Sequence, residues 1–164
     1  MSGMSKIVKT MTGVAFPFVM IYGLYIIVHG HLTPGGGFQG GAVLASACAM
    51  ILIAFGSVWT MKKIKESQLS ILESIGAISF VIFAFLGLIT LFDSNGIFFK
   101  NVFANSHYIF GQSVSYGSIT SNINTAGTLP LMNIAVGLKV IAGLFVIVLV
   151  MAYATNKIRE GKAE

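Results

Sequence analysis

The stretch "HGHLTPGGGFQGG", residues 29–41, decides how this chain is read. It is polar but uncharged, carries His29, His31, Thr33 and Pro34, and places glycine at 30, 35, 36, 37, 40 and 41. Long apolar runs flank it on both sides. Pro34 fixes one φ, and the glycines allow positive φ and close backbone contacts that a Cβ would block. Such a stretch suits a chain that must reverse within a few residues between two apolar helices. Thr33 is placed to cap the turn. The helix that follows, from about Phe38, points free N–H groups and a positive dipole end back into it.

Composition says what those helices cross. Of 164 residues, 55% are hydrophobic and only 9% charged, and the mean hydropathy is +0.88. A soluble domain carries about 25% charged residues, so this chain has too few to cover a water-facing surface. It reads as an integral membrane protein of the all-α class, with the lipid bilayer as its first partner. The net charge of +5 does not point to nucleic acid, because the basic residues form small clusters beside apolar runs. Cys48 is the single cysteine and lies within an apolar run, which excludes an intrachain disulfide.

A membrane-spanning helix needs about 20 apolar residues. Four segments qualify, at about 12–29, 38–59, 71–92 and 130–153, and together they make one membrane domain over 1–164. Lys6 and Lys9 before the first run resemble the start of a signal peptide. No small-x-small cleavage pattern follows, so the segment is expected to be retained. Lys6, Lys9, Lys62, Lys63, Lys65, Lys157, Arg159 and Lys162 fall on one side of this layout, against Lys100 alone on the other. The positive-inside tendency then predicts both termini in the cytoplasm, with the turn at 29–41 and the loop 93–129 outside. That loop, "DSNGIFFKNVFANSHYIFGQSVSYGSITSNINTAGTL", has a turn signal at Asn95-Gly96. Its "GIFFKNVF" segment suits a short interfacial helix.

The outer half of the second helix is lean. Gly36/Gly40 and Gly37/Gly41 have small-x-x-x-small spacing, continued by Ala45 and Ala49. Since lipid gives little hydrophobic drive for association, such surfaces mark close helix packing. They imply neighbours on more than one side. Pro17 removes a backbone bond and predicts a bend in the first helix near Gly13.

Several chemistries compete for these residues. His29 and His31 share a side in extended chain, but a zinc site needs three or four ligands and no second spaced pair exists. Facing helices offer no axial histidines for haem. The glycines lack the lysine and threonine of a P-loop, which argues against nucleotide binding. His107 has no partnered serine nucleophile. A structural hairpin and a contact on an ion path or partner both remain open for the turn. Lys139 is the sharper anomaly. In "PLMNIAVGLKVIAGLFVIVLVMAY" it lies nine residues past Pro130, about 13 Å along a helix. An ionisable residue at that depth is a functional candidate that needs a partner; a snorkelling or hydrated lysine is the alternative. Glu73 is expected near the cytoplasmic end of the third helix and Asp93 at its outer end. Asp93 is then the closer carboxylate, and another subunit is the expected source of a true partner.

With these residues in place, "GHLTPGGGFQGGAV" resembles the signature of the MnhB subunit of the multisubunit Mrp-type (Mnh) cation/proton antiporters. Gly30, His31, Pro34, Gly35, Gly36, Gly37, Phe38, Gly40 and Gly41 carry the resemblance, and the four-helix layout with its late outer loop agrees. The resemblance implies an accessory membrane subunit, itself non-catalytic, in a prokaryotic cell-membrane complex exchanging Na+ for H+. It also implies large antiporter-like partner subunits. Lys139, His31, His29 and Asp93 become ion-translocation candidates, and the turn residues from Thr33 to Gly41 become packing elements. Stand-alone antiporter subunits tend to begin the fourth helix with Asp-Ile-Gly-Val, whereas this chain reads Asn133-Ile134-Ala135-Val136. That form is more similar to copies built into membrane-bound hydrogenases and sulfane-sulfur reductases, where ferredoxin-driven electron transfer is coupled to ion pumping. No cofactor is expected on this chain, since flavin, nickel or iron–sulfur binding needs residue sets it does not have.

Overall fold

A computed structural model describes residues 4–31, 35–89 and 129–160, and every structural statement below concerns these residues. All their regular structure is helical. The elements are α1 (Lys6–His29), α2 (Gly37–Phe55), α3 (Ser57–Lys63), α4 (Glu66–Ile89) and α5 (Leu129–Glu160). Four of them, all but α3, are long and apolar enough to cross a membrane. Pro17 lies within α1, which continues through it.

The helix boundaries differ from the sequence expectation in instructive ways. The first helix starts at Lys6 rather than near 12, adding turns that carry Lys6, Lys9 and the Thr10 hydroxyl, which donates to the Lys6 carbonyl at 3.0 Å. The second expected span, 38–59, is two helices. Gly56 adopts φ 89° and ψ 155°, a region open essentially to glycine alone, and this ends α2. α3 then begins at Ser57, with the Thr60 hydroxyl donating to the Gly56 carbonyl at 3.0 Å. The third helix starts at Glu66 rather than 71. The Lys65 N–H donates to Gln68 Oε1 while the Gln68 N–H donates to the Lys65 carbonyl, a reciprocal cap of the first turn. The fourth reaches Glu160, making α5 32 residues long, about 48 Å.

α5 is the hub. It packs against α2 on one side and α4 on the other, and α1 lies mainly on α2. Glycine makes these crossings close. A Cβ on Gly23 of α1 would come within 2.6 Å of Leu44, and one on Gly40 within 2.8 Å of the Gly23 carbonyl. A Cβ on Gly41 would meet the Gly137 carbonyl at 2.9 Å, and Ile27 fills the notch at Gly137. The buried surface of α2 is accordingly small: Gly37, Gly40, Gly41, Ala45, Ala47 and Ala54, with Leu44 and Leu52 the large exceptions.

At one end of the bundle Leu52, Leu69, Phe145 and Leu149 form the hydrophobic cluster, with Met61 and Ile64 against it. Buried Ser57 accepts a hydrogen bond from the Asn156 amide, and the Met4 N–H reaches the Ala54 carbonyl. Phe55 and Trp59 stack with centroids 4.8 Å apart, and the Lys9 ammonium lies 5.8 Å from the Phe55 ring. Lys6, Lys9, Lys62, Lys63, Lys65 and Lys157 therefore gather at this end, together with both ends of the described chain. The flanks are oily. On α1, Ile7, Met11, Val14, Phe18, Ile21 and Tyr25 are exposed at helical spacing, and on α4 so are Ile71, Ile75, Ile78 and Ile82. Such stripes fit lipid or further membrane helices, not water.

Candidate functional site

The end opposite the lysines is built around the turn. α1 closes at His29, and Gly30 continues in a right-handed conformation, φ −63°. α2 opens at Gly37 after an extended Gly36, φ −174°. The expected positive φ is thus not found at Gly36 or at Gly30; among the described residues Gly56 is the glycine that adopts one. What the turn glycines supply is proximity. A Cβ on Gly30 would lie 2.6 Å from Gly36 Cα and 2.9 Å from the Asn133 amide nitrogen. A Cβ on Gly37 would collide with the Asn133 carbonyl oxygen and come within 2.8 Å of Val136 Cβ. Asn133 of α5 is therefore the residue against which the turn is folded. Thr33 and Pro34 lie outside the described residues.

The two histidines at this end differ. His29 stacks on Tyr25, centroids 4.3 Å apart. Both ring nitrogens of His31 are enclosed by protein atoms and make no hydrogen bond within the described structure. A buried imidazole without a partner is costly. Among the described residues, no three His, Cys, Asp or Glu side chains come together as a metal site would require.

Lys139 belongs to a second locus. It is six residues beyond Asn133 on α5, about 9 Å deeper along the helix, and faces α4 rather than the turn. A Cβ on Gly76 of α4 would come within 2.8 Å of the Lys139 backbone nitrogen, 2.9 Å of the Ala135 carbonyl and 3.0 Å of Lys139 Cβ. One turn further along, the missing side chain of Gly143 leaves a notch occupied by the Glu73 carboxyl group. A Cβ at 143 would lie 3.3 Å from Glu73 Cδ and Oε1 and 3.6 Å from Oε2. Glu73 is half-buried, and Lys139 is exposed on the flank of the chain.

This arrangement brings Glu73, which the sequence reading set behind Asp93 as a partner, to within about one turn of Lys139 along α5. α4 begins level with the hydrophobic cluster rather than at the end of α5, since Leu69 packs with Phe145 and Leu149. Glu73 is consequently carried up to Gly143. Asp93, the carboxylate favoured from sequence, lies outside the described residues. A lone charge at the centre of a membrane helix costs about 3 kcal/mol, so an acid and a base one turn apart have reason to be considered together. The candidate residues therefore fall into two groups: His29 and His31 at the turn, and Lys139 with Glu73 at the α4–α5 crossing. Sequence reading weighed Glu73 but set it behind Asp93, and it missed Gly76, Gly143 and the role of Asn133. The isolated glycines within the third and fourth apolar runs were the visible signal.

Residues 7–146 match the family described as "Domain related to MnhB subunit of Na+/H+ antiporter". The chain belongs to this MnhB-related family. An uncharacterised protein of Methanocaldococcus jannaschii is 39% identical over 136 residues, covering 79% of this chain and 47% of that protein. A putative antiporter subunit of Staphylococcus saprophyticus is 39% identical over 49 residues, 30% of this chain and 35% of the relative. The chain thus spans about half or less of the length of these curated relatives. Among solved structures, a chain of the membrane-bound sulfane sulfur reductase, an archaeal respiratory membrane complex, superposes with a TM-score of 0.67. It is 28% identical, over 92% of this chain and 61% of that one. The MnhB-related chain accordingly combines membership of this family with four helices long and apolar enough to cross a membrane.

Proposed function

We propose that this chain supports assembly and ion translocation in an Mrp-type Na+/H+ antiporter module, within the membrane arm of a ferredoxin-linked respiratory complex in a prokaryotic cell membrane. The family match over residues 7–146 carries the reading. The structural neighbour from a respiratory complex supports the redox-linked form, as does the sequence Asn133-Ile134-Ala135-Val136. A stand-alone antiporter is the second reading, favoured by the staphylococcal relatives described as putative antiporter subunits. In either setting the glycine-lined crossings make a rigid plate of helices, and the exposed flanks of α1 and α4 meet lipid and the large antiporter-like subunits. Lys139 is the leading ion-translocation candidate, followed by His31, His29 and Asp93. The lysine-rich end faces the cytoplasm, with both termini, and the loop 93–129 lies outside.

The test is to tag the chain, extract it gently from native membranes and identify the co-purifying chains by mass spectrometry. Large antiporter-like subunits accompanied by redox subunits are the expected result. Antiporter subunits alone would favour the second reading, and a homo-oligomer without partners would overturn both. A cysteine introduced into loop 93–129 should react with an impermeant reagent from outside intact cells; labelling only after the cytoplasmic face is exposed would invert the topology.

A further inference from the structure

The α4–α5 crossing brings together an acid and a base that belong to no described hydrogen bond. Gly76 and Glu73 are i and i−3 on α4, hence on one face, and Lys139 and Gly143 are i and i+4 on α5. Gly76 meets the backbone and Cβ of Lys139 while Gly143 receives the carboxyl group of Glu73. Residues four apart on a helix have Cβ atoms about 5–6 Å apart, so the Glu73 carboxyl lies about one turn from the root of the Lys139 side chain. The four-carbon stem of lysine is flexible and covers that separation. Among the described residues the two charges are not directly bridged. The ammonium is on the exposed flank, and the carboxyl is held in the notch.

We propose that Glu73 is the counter-charge of Lys139, and that the two act as one unit in ion translocation. The inference rests on the functional reading above. Glu73 is half-buried, with its carboxyl at the notch left by Gly143. Lys139 moves between that carboxyl and the flank where the rest of the complex lies. With the ammonium on Glu73 the flank is neutral and apolar. With the ammonium swung away, the flank presents a positive charge and the notch an uncompensated carboxylate. A monovalent cation passing the flank meets a different field in each state, without either side chain lying on a continuous path. Glu73 acts in this scheme as a positioning residue, through Lys139.

The experiment uses the whole complex, purified through a tag on a partner subunit, with Glu73→Gln, Lys139→Gln and the two combined. The yield of intact complex reports pairing. Each single variant leaves one uncompensated charge and is expected to lower the yield several-fold, whereas the double variant should return to within about twofold of the parent. Losses that multiply in the double variant would overturn the pairing. Ion uptake into proteoliposomes, read separately with radioactive sodium and with a pH-sensitive dye, reports translocation per assembled complex. All three variants are expected to fall about tenfold or more in sodium or proton uptake. A double variant that assembles and transports both ions at the parental rate would show the pair to be structural and overturn its role in translocation. If the parental complex moves neither ion, the functional reading and the translocation role fall, while the yields still decide the pairing.

Discussion

Along α5, the crossings with α2 and with α4 are both built on glycine, yet they admit different things. Against α2, the glycines at 37, 41 and 137 bring backbone to backbone beside Asn133, Val136 and Val140, and Ile27 of α1 fills the notch at Gly137. Against α4, Gly76 makes the same backbone contact, but one turn away Gly143 opens onto a carboxyl group. The first crossing is closed, and its glycines meet no charged side chain. The second holds Glu73 and Lys139 on one flank of the chain. Small residues in a membrane helix are read as packing devices, and here the same device also seats a charge. The difference is useful because it separates substitutions that should break the plate of helices from those that should leave it standing and change what it does.

The largest effect is expected at the closed crossing. Valine at Gly37 would place a Cβ onto the Asn133 carbonyl oxygen and against Val136, with two further methyl groups to accommodate. Overpacking a well-packed interior costs about 1–3 kcal/mol, and a clash with backbone that cannot rotate away belongs at or beyond the upper figure. Gly37→Val should therefore abolish recovery of intact complex in tag purification, with no separable effect on ion dependence. A complex assembled at parental yield would show that α2 and α5 are not held at the distance described.

Gly76→Ala comes next and probes the backbone contact of the second crossing. Its Cβ would meet the Lys139 nitrogen at 2.8 Å and the Ala135 carbonyl at 2.9 Å. α4 makes its main contact with α5, so it can shift outward as a unit to relieve the overlap. A cost of about 1–3 kcal/mol, seen as a lower melting temperature of the purified complex, is expected rather than loss of assembly. Unchanged melting together with normal yield would show that the two helices approach less closely.

How much of this was legible follows from the kind of signal each feature leaves. Four spans of apolar residue and a glycine-rich reversal are patterns of composition, and they located the helices and the turn without reference to partners. Gly56 left no such pattern, because a lone glycine inside an apolar run does not display its φ of 89° or the break between α2 and α3. Asn133 read as a departure from a motif, and its contact with Gly30, Gly36 and Gly37 depends on how far α5 slides along α2. Glu73 was set behind Asp93 for a similar reason. Counting from the start of an apolar run gives depth only if every helix begins at one level, and α4 does not. Longitudinal register between helices is a property of packing, and one sequence does not display it.

Gly143→Ala should cost less than Gly76→Ala although both lie at the same crossing. The atoms its Cβ would meet, at 3.3 Å and 3.6 Å, are the far end of the Glu73 side chain, which can move by a few tenths of an ångström where a backbone carbonyl cannot. Stability should change by less than about 1 kcal/mol, while ion uptake per assembled complex should drop two- to fivefold because the carboxyl has been displaced. The comparison is sharpened if melting and uptake part company in this way. It fails if Gly143→Ala destabilises the complex as much as Gly76→Ala, since the notch would then be holding backbone, not a side chain.

The smallest effect is expected inside the motif that dominates the sequence. Gly36 looks indispensable in a run of three glycines, yet its φ of −174° is extended backbone that any residue adopts. A Cβ there would meet Asn133 Oδ1 at 3.5 Å and Gln39 Oε1 at 3.6 Å, which is ordinary contact. The neighbouring Gly37 is helical, so its backbone too would accept another residue, but a Cβ there collides with the Asn133 carbonyl oxygen and Val136. Gly36→Ala should leave yield and melting temperature within about 0.5 kcal/mol of the parent, with ion uptake unchanged, whereas alanine at Gly37 should already impair assembly. Both variants are read by the same purification, so the pair needs no other standard. Equal damage from the two would mean that the motif works as a flexible loop, for which every glycine counts. Damage confined to Gly37 would mean that it works as a contact surface, on which only the glycine facing Asn133 and Val136 has no room for a side chain.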